Sequence, residues 1–505
     1  WGMVNFFLAF LSKEYAVVLI PLIPAGLMIF HKRKFSDLLY LALPIAGVVL
    51  LYVICRIGSV GLASQPVDKR SQDPLNDPYL YATSEQRIAS KLNRLDDYIK
   101  LLIYPFPLVS DYSYQHFPYS RLSDPDVLLS MLLCVLILPA LTIWLWIKRS
   151  PYAFAMLIYL GFFALVCNIF FDIGATMGER LIYHSSLGFC MIVAMLLVRL
   201  GEVLKESGRY VVTGIFLLIS IPAWMLTTKR NLEWKNDFTL FTSDVKKHPN
   251  SALCNGNAGA RYMDLGLKYV GHDSITPNGV VRVGRNERLL HAYADTAMTY
   301  LLKAVELHKK YVNGYLNLGL CYYYKDDYEN AASAWGNAYL YFPSNPILLS
   351  YEQMLIGKAN ERASKKDFAG AERFFKCAVT TMPNDYSAWS NLAGSSFMAR
   401  DFATSANAFQ QAINLKPDMK NQLINGLRAA TSDRMRLDAW KKDSSSYETN
   451  LNLGLGYTGT TEFYPESRRL LNKALVAKPG DARVTFLLDS LSGLEQKAAQ
   501  SPKSK

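Results

Sequence analysis

Cysteine is sparse in this chain and badly spaced for metal or redox chemistry. The seven cysteines among 505 residues form no C-x-x-C pair and no zinc-ligand spacing, which excludes zinc-ribbon and thioredoxin-like motifs. Cys55, Cys134, Cys167 and Cys190 stand inside or beside apolar runs, and Cys254, Cys321 and Cys377 in the later half. Buried free thiols are expected, with a disulfide among the last three left open. No N-x-S/T sequon occurs, and neither a catalytic triad nor a signal peptide is present. The chain begins at Trp1 within an apolar run rather than at a methionine, so upstream sequence is expected. Gly454-x-Gly456-x-x-Gly459 spells a dinucleotide fingerprint but follows no strand pattern, which removes it as a nucleotide site. Charge is also scarce: 19% charged residues against 51% hydrophobic ones is not the balance of a soluble chain of this length.

What is abundant is apolar sequence, concentrated before about residue 228. Residues 2–11, 15–30, 36–56, 127–147, 152–171, 183–200 and 210–227 are the candidate membrane spans, some short for a helix of about 20 residues. Every second connector (His31-Lys32-Arg33-Lys34, Lys148-Arg149 and Arg199 to Arg209) is rich in Lys or Arg, which places these on the cytoplasmic side. Alternation then puts residues 57–126, residues 172–182 and everything after 228 on the exoplasmic side. Lys229 and Arg230 oppose the rule, and three other loops outweigh them. The net charge of +12 is largely topological in the first half, so no nucleic-acid partner is inferred; the bilayer is the partner implied. Ile88, Leu92, Leu95, Ile99 and Leu102 recur at helical spacing among Arg87, Lys91 and Arg94. This pattern fits either an interfacial helix near anionic headgroups or a helix packed beneath its loop.

The second half repeats itself. Tyr315, Leu318, Gly319 and Tyr322, then Ala331, Trp335 and Ala338, then Pro343, spell a tetratricopeptide unit. The pattern returns at Ala371, Phe375, Ala378 and Pro383 and at Trp389, Leu392, Phe409, Ala412 and Pro417. Weaker copies occur at Trp234 to Pro249 with Asn255 to Tyr262, at Ala297 to Ala304 and at Leu451 to Pro479. Small residues belong where paired helices touch, large ones between repeats. Thr276-Pro277-Asn278-Gly279, flanked by Ile275 and Val280-Val281, predicts a hairpin inserted between the first and second units. The expected architecture is all-α: a polytopic transmembrane helix bundle over 1–228, with exoplasmic loops at 57–126 and 172–182, followed by a tetratricopeptide-repeat solenoid over 229–495. An insertion occupies 267–290 and a disordered tail 496–505.

Two exoplasmic segments carry a resemblance. Residues 105–125, running Pro-Phe-Pro-Leu-Val-Ser-Asp-Tyr-Ser-Tyr-Gln-His-Phe-Pro to Ser123-Asp124-Pro125, and residues 174–190, Gly-Ala-Thr-Met-Gly-Glu-Arg-Leu-Ile-Tyr-His-Ser-Ser-Leu-Gly-Phe-Cys, resemble signature stretches of the transmembrane-and-tetratricopeptide-repeat O-mannosyltransferases. Ser12-Lys13-Glu14, and Trp234 with Phe241 and Pro249, match in the same order. The resemblance implies a C-type glycosyltransferase fold. It also implies mannosyl transfer from a polyprenyl-phosphate donor to Ser or Thr hydroxyls outside the cytosol, and a divalent metal, Mn or Mg. The family's acidic catalytic residues are expected upstream of Trp1.

Within this chain a phosphate-linked donor calls for a fixed cation. Arg180, at the exoplasmic end of a span, fits a bidentate phosphate contact; its alternative is a structural ion pair with Glu179. Lys13 and Glu14 stand under the same two readings. Asp111, His116 and Glu179 are the catalytic candidates, set against a loop-capping Asp, a surface His and the same structural ion pair. Asn257, Asn317, Asn391 and Asn452 recur two residues before the small slot of successive first helices, where amides either hold an extended acceptor peptide or bridge neighbouring helices. The leading expectation is therefore a glycosyltransferase in a bacterial inner membrane with periplasmic repeats, or in the endoplasmic reticulum with luminal ones. The rivals are a non-catalytic repeat scaffold in an envelope assembly and a lipid-linked glycan ligase or flippase-like protein.

Overall fold

The computed structural model describes residues 1–60, 74–75, 77–112, 114, 116–276 and 279–500. The chain divides into two compact units, residues 1–314 and 315–505.

The first unit opens with α1 (Gly2–Ser12), α2 (Leu19–Phe30) and α3 (Ala42–Val60). Phe6 and Phe10 pack with Ile45 and Val48 to join α1 to α3. Next comes α4 (Ser84–Ile103), started by a capping box in which Thr83 and Gln86 exchange side-chain and backbone hydrogen bonds. α5 (Pro125–Ser130) continues through a π-helical stretch into α6 (Leu138–Ile147), followed by α7 (Pro151–Ala164), α8 (Tyr183–Leu204) and α9 (Gly208–Glu233).

Among the described residues, three stretches are long and apolar enough to cross a membrane by length and composition: Phe35–Ser59, Pro125–Ile147 and Glu179–Glu233, the last holding both α8 and α9. Gly2–Ser12, Glu14–Phe30 and Pro151–Ala164 are shorter apolar helices. Their flanks are bare: on α9, Phe216, Leu218, Ile219 and Trp224 are all more than 50% exposed, an exterior suited to hydrocarbon rather than water.

The expected span 152–171 is shorter as a helix. α7 stops at Ala164 because the chain turns through Asn168 at φ 62°. The Asn168 amide donates to the carbonyls of Ala175 and Thr176 at 2.8 and 3.0 Å and accepts from the Ile173 N–H at 2.9 Å. α7 and α8 cross closely at Gly188, where a Cβ would stand 2.4 Å from the Ala155 carbonyl oxygen.

α4 packs beneath its loop. Leu95 and Tyr98 share one core with Val109, Tyr112, Tyr159 and Phe163. Its basic residues are engaged, Arg87 with Asp77 at 3.4 Å, Lys91 with Asp172, and Arg94 with Asp97 at 2.7 Å. They are therefore not held out toward a headgroup.

The first unit continues with α10 (Asp237–Lys247), α11 (Ala252–Leu267), the antiparallel strands β1 (His272–Thr276) and β2 (Gly279–Val283), and α12 (Glu287–Leu307). The strands run from His272 opposite Val283 to Thr276 opposite Gly279; the expected turn residues Pro277 and Asn278 lie outside the described residues. The hairpin interrupts a helix pair instead of separating two repeats. A Cβ on Gly259 of α11 would stand 2.6 Å from Leu301 and 3.0 Å from the Ala297 carbonyl of α12, the close approach of the two helices of one repeat.

The unit boundary falls in α13 (Val312–Tyr324). The second unit then holds α14 (Tyr328–Tyr341), α15 (Pro346–Ser364), α16 (Phe368–Thr381), α17 (Tyr386–Met398), α18 (Phe402–Leu415), α19 (Lys420–Lys442), α20 (Tyr447–Tyr457), α21 (Tyr464–Ala477) and α22 (Ala482–Gln500). Trp335 is fully buried and donates from Nε1 to the Leu316 carbonyl at 3.1 Å. A Cβ on Gly319 would stand 2.2 Å from that nitrogen, so the glycine is there to admit the indole. Ala331, Ala338, Ala371, Ala378 and Ala412 are fully buried at the helix contacts.

The second helices α14, α16 and α18 start on Asp327, Asp367 and Asp401, whose carboxylates each accept from a first-turn N–H. The residue before each cap, Asp326, Lys366 or Arg400, adopts a φ of 60–64°. The first helices α17 and α20 are latched by a side-chain donor to the carbonyl six residues back, Trp389 to Pro383 at 2.8 Å and Asn450 to Ser444 at 3.0 Å. In the first unit, Asn255 binds Pro249 in the same way at 2.7 Å.

α22 continues to Gln500, past residue 496 where a disordered tail was expected, because Leu491 is buried and Glu495 is held by Arg468 at 2.6 Å. Residues 501–505 lie outside the described residues. Within α15, Glu352 is fully buried and no donor reaches either carboxyl oxygen. Burial, reinforced by the Asp385 charge, pushes its carboxyl up to about 8.

Candidate functional site

The two signature segments meet in the first unit, and the end of α9 and α10 join them. Tyr112 donates its hydroxyl to Glu179 Oε1 at 3.0 Å, and Glu179 also faces Arg230 Nη2 at 3.7 Å. Arg230 reaches Glu233 at 2.5 Å and Asp244 at 3.2 Å through Nη1. Asp244, with no exposed side-chain surface, accepts the Ser110 N–H at 2.8 Å. Lys247 closes the ring, with Nζ 2.6 Å from Glu233 and 2.9 Å from the Leu108 carbonyl. Two cations thus face three carboxylates in a part-buried clamp that ties residues 108–112, Glu179 and the first repeat helix together. Breaking one arm of such a clamp strands a charge.

Beside the clamp, the His116 and His248 rings stack at 3.9 Å, with Tyr112 4.7 Å from His116. Burial drives His116 down to about 3, the His248 charge adding to the effect, and burial lowers His248 as well. Both imidazoles are therefore neutral near pH 7. Burial and the Glu179 charge raise the Tyr112 hydroxyl, so it stays a donor. Asp111 is half-buried, within electrostatic reach of the Cys254 thiol, which burial pushes up to about 12. His116 and Glu179 thus meet at Tyr112, inside a locked loop.

Arg180 points elsewhere. Glu179 is taken by Arg230 and Tyr112, so the alternative of a Glu179–Arg180 ion pair is overturned. Arg180 is exposed and has no carboxylate within salt-bridge distance among the described residues. It lies in electrostatic reach of Tyr15, and Lys13 Nζ stands 5.6 Å from the same ring. His184 packs edge-on to Tyr15 at 4.7 Å. Two of the three donor-site candidates therefore gather at Tyr15. The third, Glu14, is bound at 2.6 Å by Arg56, which also donates to Tyr52 at 2.9 Å. Lys13, Glu14, Tyr52 and Arg56 line a polar pocket of about 220 Å³. Ile20, Leu38, Ile45, Val49 and Val53 line an apolar groove of about 570 Å³, and both hollows run along α3.

Of the asparagines, Asn257 on α11 and Asn317 on α13 are half-buried, and Asn391 on α17 and Asn452 on α20 are exposed. No cluster of three or more His, Cys, Asp or Glu placed to hold a metal occurs among the described residues. The resemblance places the acidic ligands of a divalent ion upstream of Trp1, and no step is routed through one here. Sequence reasoning missed Arg230, Glu233, Asp244 and Lys247, whose partners lie up to 139 residues away, and it missed Arg56, which reads as part of a span.

No family model matches the chain. Similar curated proteins include the protein O-mannosyl-transferase F38B6.6 of Caenorhabditis elegans, 35% identical over 100 residues, covering 20% of this chain and 14% of that protein. Human protein O-mannosyl-transferase TMTC3 is 22% identical over 372 residues, 64% of this chain and 34% of that protein. Drosophila melanogaster Tmtc3 is 25% identical over 187 residues, 36% and 17%. The matches thus span about a third or less of the relatives' own length. Among solved structures, the peptide-binding tetratricopeptide protein YrrB matches with 14% identity and a TM-score of 0.19 over 50% of this chain and 97% of its own. The P58(IPK) tetratricopeptide domain matches with 10% identity and a TM-score of 0.18 over 56% and 99%. At low identity, the similarity to curated protein O-mannosyl-transferases supports the transmembrane-and-tetratricopeptide-repeat O-mannosyltransferase family for this chain.

Proposed function

We propose that this chain is the donor-holding and acceptor-presenting part of a membrane glycosyltransferase. It would transfer mannose or a similar sugar from a polyprenyl-phosphate to Ser or Thr hydroxyls on the exoplasmic face. The observation that carries this reading is the parting of Glu179 and Arg180, which leaves Arg180 exposed beside Lys13 and Tyr15, without a carboxylate partner among the described residues. A phosphate monoanion leaving from the sugar gains charge as the glycosidic bond breaks, and fixed cations stabilise it. The apolar groove along α3 suits the isoprenoid tail of such a donor, and the polar pocket at its end suits the phosphate. In this reading the helices cross the membrane and Asn257, Asn317, Asn391 and Asn452 contact the acceptor peptide. The animal origin of the relatives favours the endoplasmic-reticulum membrane, with luminal repeats, over a bacterial inner membrane.

Glu179 is half-buried in the loop clamp and His116 half-buried beside it, so we assign them to positioning rather than to proton transfer. In membranes supplied with labelled polyprenyl-phosphate mannose, Arg180→Ala is expected to lower label entering protein at least tenfold, and Arg180→Lys to restore part of it. Undiminished transfer in Arg180→Ala refutes the assignment.

A further inference from the structure

The face that Lys and Arg content assigns to the cytoplasm carries a joined basic patch. α2 and α7 pack closely at Gly26, where a Cβ would meet the Phe154 ring at 3.2 Å, and Phe154 stands edge-on to Phe30 at 5.3 Å. That packing brings two connectors together at one end of the helix pair. Arg149 donates from Nη1 to the Lys32 carbonyl at 3.3 Å, across 117 residues. Both residues hold a left-handed backbone to do so, with φ 55° at Lys32 and 49° at Arg149. Lys32, Arg33, Lys34, Lys148 and Arg149 are all exposed.

Nothing nearby answers this charge. None of the five has a carboxylate within salt-bridge distance among the described residues. Asp37 is committed to the start of the 3₁₀ turn Phe35–Leu41, where it accepts the Lys34 N–H at 3.2 Å. Helix dipoles do not compensate either, because α2 and α6 end here while α7 and the 3₁₀ turn begin here. The third basic connector differs: Arg199, Lys205 and Arg209 share it with Glu202 and Glu206, and Glu202 stands 3.0 Å from Arg199. Membrane topology asks for positive connectors, but not for two of them to be tied together without counter-charge. Such neighbours repel over a Debye length of about 8 Å, and a polyvalent anion relieves the repulsion.

We infer that this patch binds the polyanionic headgroup of a membrane lipid, one bearing a phosphomonoester. The rim selects a lipid over a soluble phosphate. Phe30, Phe35, Trp144 and Ile147 flank the cations in sequence and are each more than half exposed, so side chains suited to the acyl region adjoin charges at headgroup height. A phosphomonoester is favoured over the single charge of phosphatidylserine because it carries nearly two charges and three acceptor oxygens. Arg149 spends one donor on Lys32 and keeps the rest of its fork for those oxygens. The inference rests on these helices crossing the bilayer and is independent of sugar transfer.

The test places the full chain in phosphatidylcholine nanodiscs holding equal minor fractions of phosphatidylserine and phosphatidylinositol 4-phosphate, and counts the lipids it retains by native mass spectrometry. Phosphatidylinositol 4-phosphate is expected to be retained at least tenfold over phosphatidylserine. Each Lys or Arg near an anionic surface is worth about fivefold. Lys148→Gln alone should therefore lower retention about fivefold, and Arg33→Gln, Lys34→Gln and Lys148→Gln together at least tenfold, with Arg149 left to hold the connectors. Lys205→Gln with Arg209→Gln should leave retention unchanged. Equal retention of the two anionic lipids, no loss in the triple variant, or an equal loss in the Lys205 and Arg209 variant overturns the proposal. Displacement of the lipid by an equal concentration of inorganic phosphate overturns it in favour of a soluble anion. A chain that fails to enter nanodiscs refutes the membrane reading and the proposal with it, whereas entry without headgroup selectivity refutes the proposal alone.

Discussion

Replacing Glu352 by glutamine should stabilise the second unit, and by an amount that depends on pH. The carboxyl is fully buried, no donor reaches it, and it is held at about 8 against an ordinary value of 4.5. Because the folded value lies above the unfolded one, the group's contribution is fully present below pH 4.5 and is lost as pH rises through 8. At about 1.4 kcal/mol per tenfold change in acidity, wild type loses up to about 3 kcal/mol by pH 7 and about 5 kcal/mol above pH 8. Local relaxation lowers both figures. A glutamine at this position cannot ionise, and its amide can donate to Asp385. Glu352→Gln should therefore match wild type near pH 5 and exceed it increasingly toward pH 8.5. A suitable readout is the rate at which a thiol reagent reaches Cys377, buried on the neighbouring α16, under graded urea in the full chain. A gain of the same size at pH 5 and pH 8.5 would trace the effect to packing and refute the charge argument, as would no gain at either pH.

Arg230→Ala should strand the buried Asp244 carboxylate and cost about 3–5 kcal/mol locally. Hydrogen exchange at the Ser110 amide, bonded to Asp244, should accelerate accordingly, and Arg230→Ala combined with Asp244→Asn should recover part of the loss. Gly319→Ala sets a methyl against Trp335 Nε1; a cost of about 1–3 kcal/mol is expected, read as faster labelling of the buried Cys321. For the stacked histidines the sign is opposite to that of Glu352. Burial depresses both, so their contribution is present above about pH 6.5 and is lost as pH falls, for His116 toward 3. The 105–125 loop should loosen in hydrogen exchange between pH 6 and pH 4, and His116→Phe should reduce that loosening.

The repeats were legible because their packing is local. Gly319 and Trp335 are 16 residues apart, and the slot that needs a small residue announces the neighbour that fills it. The hairpin's existence was legible from its turn chemistry. Its place inside a helix pair was not, because Gly259 and Leu301 touch across the insertion and no periodicity links them. The end of α7 at Ala164 escaped hydropathy because Leu165, Val166 and Cys167 are as apolar as the helix, while the turn depends on one amide at Asn168. At the site, adjacent charges at 179 and 180 suggested a pair. The partner Glu179 takes instead lies 51 residues on at Arg230, whose charge reads in the sequence as a topological anomaly. The reaching acids Asp77, Asp172 and Asp97 similarly turned a basic helix face into a neutral, packed one.

One short 3₁₀ turn, Glu179–Ile182, holds both Glu179 and Arg180. Consecutive Cα atoms sit about 3.8 Å apart across a planar peptide, so neither residue can shift without carrying the other. A tug on the first repeat helix, passed through Arg230 to Glu179, would therefore arrive at the neighbouring guanidinium as a change of aim. The turn thus couples the clamp held at Glu179 by Arg230 to the cluster that Arg180 forms with Tyr15.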